Sequence, residues 1–206
     1  MKHLWLKNGH RRLFVLALGW GQDPDSWSKA DFGNRDVLLL GHWNAEGGLP
    51  DLSGYDEYDL VAWSFGVWSA AQIDWPVAFS SALAVNGTLF PADDDRGIPV
   101  EIFRKTIDGW VPGLSARKFW IRMGDRTGPG REDGDLLDEL RYFRKAFEAS
   151  KTTPTVRYTK AVVGTRDRIF PPANQKRAWG GTPVVEAMLP HAIGGHLVDI
   201  LAEIPT

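Results

Sequence analysis

Cysteine is absent from the 206 residues. That removes a disulfide framework, a thiolate nucleophile and every Cys-ligated zinc or iron–sulfur site. It is compatible with a reducing cytosol, the expected location. A strong charge of one sign is also missing: 24 Lys+Arg against 26 Asp+Glu leave −2. A general nucleic-acid binder is usually basic, so no nucleic-acid partner is expected. No apolar run approaches the roughly 20 residues of a membrane helix; the longest early one, LFVLALG at 13–19, has seven. The start, MKHLWLKNGHRR, is positively charged but lacks the apolar stretch of a signal peptide. Asn86-Gly87-Thr88 spells a glycosylation sequon, but without a secretory signal it is read as unmodified. Metal spacing is lacking too. His191 and His196 stand five apart with no HExxH, and Asp93-Asp94-Asp95 does not match a calcium loop. Neither GxGxxG nor GxxxxGK[ST] occurs, so no metal or nucleotide cofactor is expected.

What is present is aromatic: ten Trp, ten Phe and four Tyr. They suggest an aromatic-lined cavity or contact surface besides a core. Hydrophobic residues (43%) and charged residues (24%) are in ordinary globular proportion, and the length fits one domain with a real core. Short, nearly continuous apolar runs at 13–18, 36–41, 59–64, 76–85, 159–164 and 183–189 read as strands buried on both faces. Helix candidates lie after Ser64 and at 100–110, 115–123, 134–149, 172–179 and 196–203. The best defined is 134–149, where Leu136, Leu137, Leu140, Phe143 and Phe147 recur at helical spacing. Strand–helix alternation predicts an α/β fold, a compact and mostly parallel sheet covered by helices on both faces. The stretch from about 87 to 155 interrupts the alternation with two or three helices and a Gly/Pro-rich loop at 124–135. It is expected to be a helical lid inserted in a single domain of residues 1–206.

Three sites fall at predicted strand ends, where open α/β sheets bind ligands. Ala62-Trp63-Ser64-Phe65-Gly66 follows one strand and opens a helix. It approximates the G-x-S-x-G nucleophile elbow, with Ala62 in place of the first glycine. The alternative is a serine that merely caps the helix. Leu18-Gly19-Trp20-Gly21 follows the strand at 13–18, and its glycines would allow the close approach an oxyanion needs. The amides of Trp20 and Phe65 are the candidate oxyanion donors. The third site combines Asp167, after the strand at 159–164, with a histidine beyond the strand at 183–189. The chain order Ser, Asp, His is that of α/β-hydrolases. Ser64 would attack a carbonyl, the histidine would relay its proton, and Asp167 would orient the imidazole. His191 and His196 compete for the base. His196 is preferred, because it follows Gly194-Gly195 and opens the last helix.

These residues lead to a resemblance. The turn GWG (19–21), AWSFGVW (62–68), AVNGTLFPADDDRGIPVEIFRKTIDG (84–109), KFWIRM (118–123) and VGTRDRIFPPANQ (163–175) resemble the BioG-type pimeloyl-[acyl-carrier-protein] methyl ester esterases, a compact branch of the α/β-hydrolases. The middle string is the most family-specific. After His196 the family pattern leads one to expect an aromatic–Pro pair, and Leu197-Val198 stand there instead. The resemblance implies a serine esterase of biotin biosynthesis. It would cleave the methyl ester of pimeloyl-[acyl-carrier protein] to the free acid and methanol, with acyl carrier protein as partner. Such carriers are acidic, so a local basic face is expected. Arg104, Lys105, Arg117, Lys118 and Arg122 are the candidates, with Phe103, Phe119 and Trp120 lining the acyl channel. A general carboxylesterase or acyl-thioesterase would need the same residues, and a non-catalytic module on the same fold is the remaining alternative.

Overall fold

The computed structural model describes residues 1–125, 128, 130–150 and 153–204. Positions 126, 127 and 129 of the loop at 124–135, and 151 and 152 of the expected lid, lie outside them. Seven strands form one sheet in the order β1-β3-β2-β4-β5-β6-β7. They are β1 (Lys2–Leu6), β2 (Arg12–Ala17), β3 (Asp36–Gly41), β4 (Glu57–Trp63), β5 (Ser81–Val85), β6 (Lys160–Gly164) and β7 (Val184–Ala187). All neighbours pair in parallel except β1, which runs antiparallel to β3. The central strands are apolar because helices and loops bury both faces; Leu13, Val15, Leu16, Leu38, Leu39 and Leu60 are fully buried. Burial of each such side chain stabilises the fold by about 1.5–3 kcal/mol.

Three boundaries differ from the sequence reading. KHLWL is a strand, β1, which alternates only weakly at the sheet edge and so gives little apolar signal. The run at 76–85 is a strand only over β5; pairing with β4 begins at Asp59↔Ser81. The run at 183–189 shrinks to the four residues of β7, because the chain bends at Met188 to cross the sheet end.

The helices are α1 (Phe65–Ala70), α2 (Val100–Asp108), α3 (Ser115–Met123), α4 (Asp133–Ala149), α5 (Pro172–Ala178) and α6 (Leu197–Ala202). The first packs on β2 and β4, and α5 on β6. Between β5 and β6 lie α2, α3 and α4, and no strand of the sheet. These three helices form a cover over the carboxyl end of β4, beside Ser64.

Candidate active site

Strand β4 ends at Trp63 and α1 starts at Phe65, so Ser64 alone makes the turn. Its φ of 58° and ψ of −128° are a strained conformation for a residue with a side chain. Surrounding contacts impose it. The Ser64 N–H donates to Val85 O (3.0 Å), and Ser64 O accepts from the Val67 N–H (3.1 Å). Small residues make the turn possible. A Cβ on Gly19 would stand 2.9 Å from Ser64 Cβ, and one on Gly66 would stand 2.3 Å from Ala17 O. Ala62, where the motif has glycine, belongs to a row of alanines in register across the sheet: Ala17, Ala62, Ala84 and Ala161. That row explains why alanine serves at this position.

Asp167 lies three residues beyond β6 and is buried. Its Oδ1 accepts the N–H groups of Ile169 (2.7 Å) and Phe170 (3.0 Å). Its Oδ2 accepts from Gln175 Nε2 (3.0 Å) and faces His191 Nδ1 at 2.9 Å. The other ring nitrogen, His191 Nε2, lies 3.0 Å from Ser64 Oγ. A carboxylate can only accept, so the imidazole proton sits on Nδ1 and Nε2 is free to accept the serine hydroxyl. The ring is 1% exposed and stacks on Phe170 at 6.0 Å between centroids.

The structure brings His191, and not the preferred His196, between Asp167 and Ser64, a correction to the sequence reading. Distance supplies the reason. Ser64 closes β4, three strands from β7, or about 14 Å at normal strand spacing. His191 lies four residues beyond Ala187, enough to span about 13 Å, and the imidazole covers the rest. No Gly-Gly loop is required. Gly194-Gly195-His196 instead forms a 3₁₀ turn leading into α6. The His196 side chain is about one-third exposed, with Asp199 3.9 Å away.

Neither the Trp20 nor the Phe65 N–H makes a hydrogen bond among the described residues, and both residues line the same cavity as Ser64. Their side chains run the other way, into the cover. The Trp20 indole N–H donates to Leu136 O (2.9 Å), and its ring packs on Trp110, Phe119 and Trp120. The Phe65 ring meets Phe103, Phe143, Phe147 and Phe170. A buried carboxylate that the sequence did not announce fixes the next amide. Glu139 of α4 accepts the Gly21 N–H (2.9 Å), the Trp43 N–H (2.7 Å) and Arg131 Nη1 (2.6 Å). Burial pushes its carboxyl above the ordinary range, while Arg131 and the two amides pull it back.

A cavity of about 340 Å³ opens beside Ser64. Phe103, Phe119, Ile98 and Ile102 give it apolar walls. Lys105, Lys118, Arg122 and Arg168 add four cations, and among the described residues no carboxylate lines it. Arg168, the neighbour of Asp167, was not among the expected cations. Three expected residues fall outside the wall. Arg104 turns along α2 to Glu101 and Asp108, its i−3 and i+4 neighbours. Arg117 is exposed on α3 away from the opening. Trp120 is buried behind the wall, stacked 5.6 Å from Trp20. Among the described residues no group of His, Asp and Glu could hold a metal ion, and no helix is long and apolar enough to cross a membrane.

A mostly parallel sheet, a strained serine between strand and helix, and an acid and a histidine from later strand ends define an α/β-hydrolase. The fold agrees with MGS-M2, an alpha/beta hydrolase enzyme from a Medee basin deep-sea metagenome library: TM-score 0.61, 13% identity, 98% of this chain and 91% of that one. More specifically, the chain belongs to the family described as pimeloyl-ACP methyl esterase BioG, whose model matches residues 1–198. The crystal structure of BioG from Haemophilus influenzae superposes with a TM-score of 0.83 at 32% identity, over 93% of this chain and 94% of that one. A malonyl-[acyl-carrier protein] O-methyltransferase of Bacteroides fragilis is 33% identical over 181 residues, 82% of this chain. The match spans only 36% of that longer protein.

Proposed function

We propose that this hydrolase cleaves the methyl ester of pimeloyl-[acyl-carrier protein], releasing methanol and the free ω-carboxylate, as a step of pimelate synthesis for biotin. The observation that carries the reading is the unbroken Ser64–His191–Asp167 relay, with spacings of 3.0 and 2.9 Å, opening into an apolar cavity ringed by cations. His191 Nε2 takes the Ser64 proton as Oγ bonds to the ester carbonyl carbon. The carbonyl oxygen gains the negative charge, and the N–H groups of Trp20 and Phe65 are free to receive it. Collapse breaks the bond to the methoxy oxygen, which leaves as methanol with the proton from His191. Water then repeats the cycle on the acyl-serine. His191 deprotonates it, the acid departs, and Ser64 regains its proton. Asp167 keeps the imidazole oriented and offsets its positive charge while it is protonated.

The apolar walls suit a methylene chain, and the cations suit the phosphate of a phosphopantetheine arm and the acidic surface of a carrier protein. The curated relative that names an acyl-carrier substrate and the family description support the same partner. Helices α2–α4 would act as the lid, and a carrier substrate places the protein in the cytoplasm. The test supplies purified methyl pimeloyl-[acyl-carrier protein] and follows release of the free acid, with Ser64→Ala as control. Cleavage by wild type alone supports the reading. Inertness toward the ester alongside cleavage of the acyl thioester overturns it.

A further inference from the structure

The string Asn86-Gly87-Thr88 reads in sequence as a modification signal, and the relay described above does not use it. In the structure Asn86 is fully buried, which excludes it as an accessible glycan acceptor. Its backbone is left-handed (φ 47°), a conformation asparagine tolerates better than most residues. Every polar atom of its amide is spent on the loops that carry the catalytic groups. Oδ1 accepts the Gly164 N–H at 2.7 Å, at the root of the loop to Asp167. Nδ2 donates to Pro190 O (2.7 Å) and to the carbonyl of His191 itself (3.1 Å). Its neighbour Gly87 touches the third group. A Cβ there would lie 2.3 Å from Ser64 O, so only glycine lets the two loops meet. Gly87 O is held in turn by the Trp179 indole (3.0 Å), and the Asn86 N–H donates to Val162 O (3.1 Å).

We infer that Asn86 is a positioning residue: from the end of β5 it ties the Asp167 loop to the His191 loop and fixes the imidazole between Asp167 and Ser64. The inference rests on the relay reading above and adds the element that holds the relay in register. The His191 carbonyl has one more donor, Trp63 Nε1 at 2.8 Å, so two side chains from the ends of the adjacent strands β4 and β5 clamp residue 191. The clamp explains how a histidine on a connection lying between β7 and α6 keeps a fixed place. A displacement near 1 Å in such a group costs about 100-fold in rate without weakening substrate binding.

Asn86→Asp is the main variant, because it keeps the acceptor for Gly164 and sets an oxygen against the carbonyls of Pro190 and His191. Trp63→Phe removes the second donor and serves if the first variant does not fold. Three quantities are read on the folded protein: kcat and KM for an ester, the thermal midpoint, and the downfield proton resonance of the His191–Asp167 hydrogen bond. The expected result is a 10- to 100-fold loss of kcat in Asn86→Asp, and about 3- to 10-fold in Trp63→Phe. KM stays within about twofold, and the downfield proton shifts or is lost. A folded variant with wild-type kcat and an unchanged resonance overturns the inference. So does a loss of activity that only follows the folded fraction. If wild type itself does not cleave esters, the esterase reading fails, whereas the resonance still reports whether Asn86 holds the imidazole.

Discussion

The floor of the site and its cover are joined to the fold by different interactions. Ser64, Asp167 and His191 sit on strand-end loops and are almost completely buried. Short hydrogen bonds to backbone groups and to Asn86, Trp63 and Gln175 hold those loops. The cover is joined mainly through aromatic rings, with Leu136 O and Glu139 of α4 as its hydrogen-bonded ties to the floor. Phe65 gathers Phe103, Phe143 and Phe147 of α2 and α4, while Trp20 gathers Phe119 and Trp120 of α3. Its outer charges are mostly exposed pairs such as Arg104–Glu101 and Arg144–Asp108, which solvent screens. Hydrogen bonds are directional and fix positions to fractions of an ångström. Ring packing is strong but less directional, so it suits an element that must admit a substrate. The two regions meet in Trp20 and Phe65, which line the cavity beside Ser64 while their rings anchor the cover.

The comparison can be broken at several points. The largest effect is expected on the floor: Ser64→Ala or His191→Ala lowers kcat by about 10⁴-fold or more, equal to about 5.5 kcal/mol. Steady-state ester hydrolysis measures it, and fluorophosphonate labelling of wild type but not Ser64→Ala checks the nucleophile. Next comes the ring packing. Phe143 of α4 is fully buried against Phe65 and Phe147. Phe143→Ala costs about 3–5 kcal/mol of stability, visible in urea melts. A loss well under 1 kcal/mol shows that α4 is not held by its rings.

The cavity cations follow. Lys118→Glu with Arg122→Glu raises KM for an acyl-carrier substrate about 10- to 100-fold and leaves a small ester within twofold. If both substrates respond alike, the cations belong to the fold and not to docking. Glu139→Gln, which weakens the grip on the Gly21 amide, lowers kcat by about tenfold at nearly constant KM. The smallest effect belongs to His196→Ala, which changes kcat by less than about twofold. A large loss there would contradict the relay through His191.

The elbow was legible because its requirement is local: a strand, a small-residue turn and a helix within ten residues. The acid was legible for a similar reason, as a polar residue directly after an apolar strand. The histidine was not, because the choice between two positions five apart depends on how far the chain must travel over the sheet end. Gln175 gave no chemical signal of its own, and the one signal at Asn86, a glycosylation sequon, pointed away from the buried role it has. Glu139 read as one more charge on a helix face, since nothing in its neighbours reveals that Arg131 and two amides from other loops close around it. The cationic wall was half legible. Lys105, Lys118 and Arg122 line the cavity, but helix phase turned Arg104 and Arg117 away, and Arg168 came from the opposite side.

What the chain order by itself determined is the sheet, the turn at Ser64 and the acid after β6, because apolar runs, turn residues and strand ends act over a few residues at a time. Which imidazole meets that serine, which amides stay free and which side chains clamp the loops were decided only when four strand ends were brought side by side. Those choices depend on separations of a few ångströms between residues up to 128 apart in sequence, and no local pattern encodes such distances.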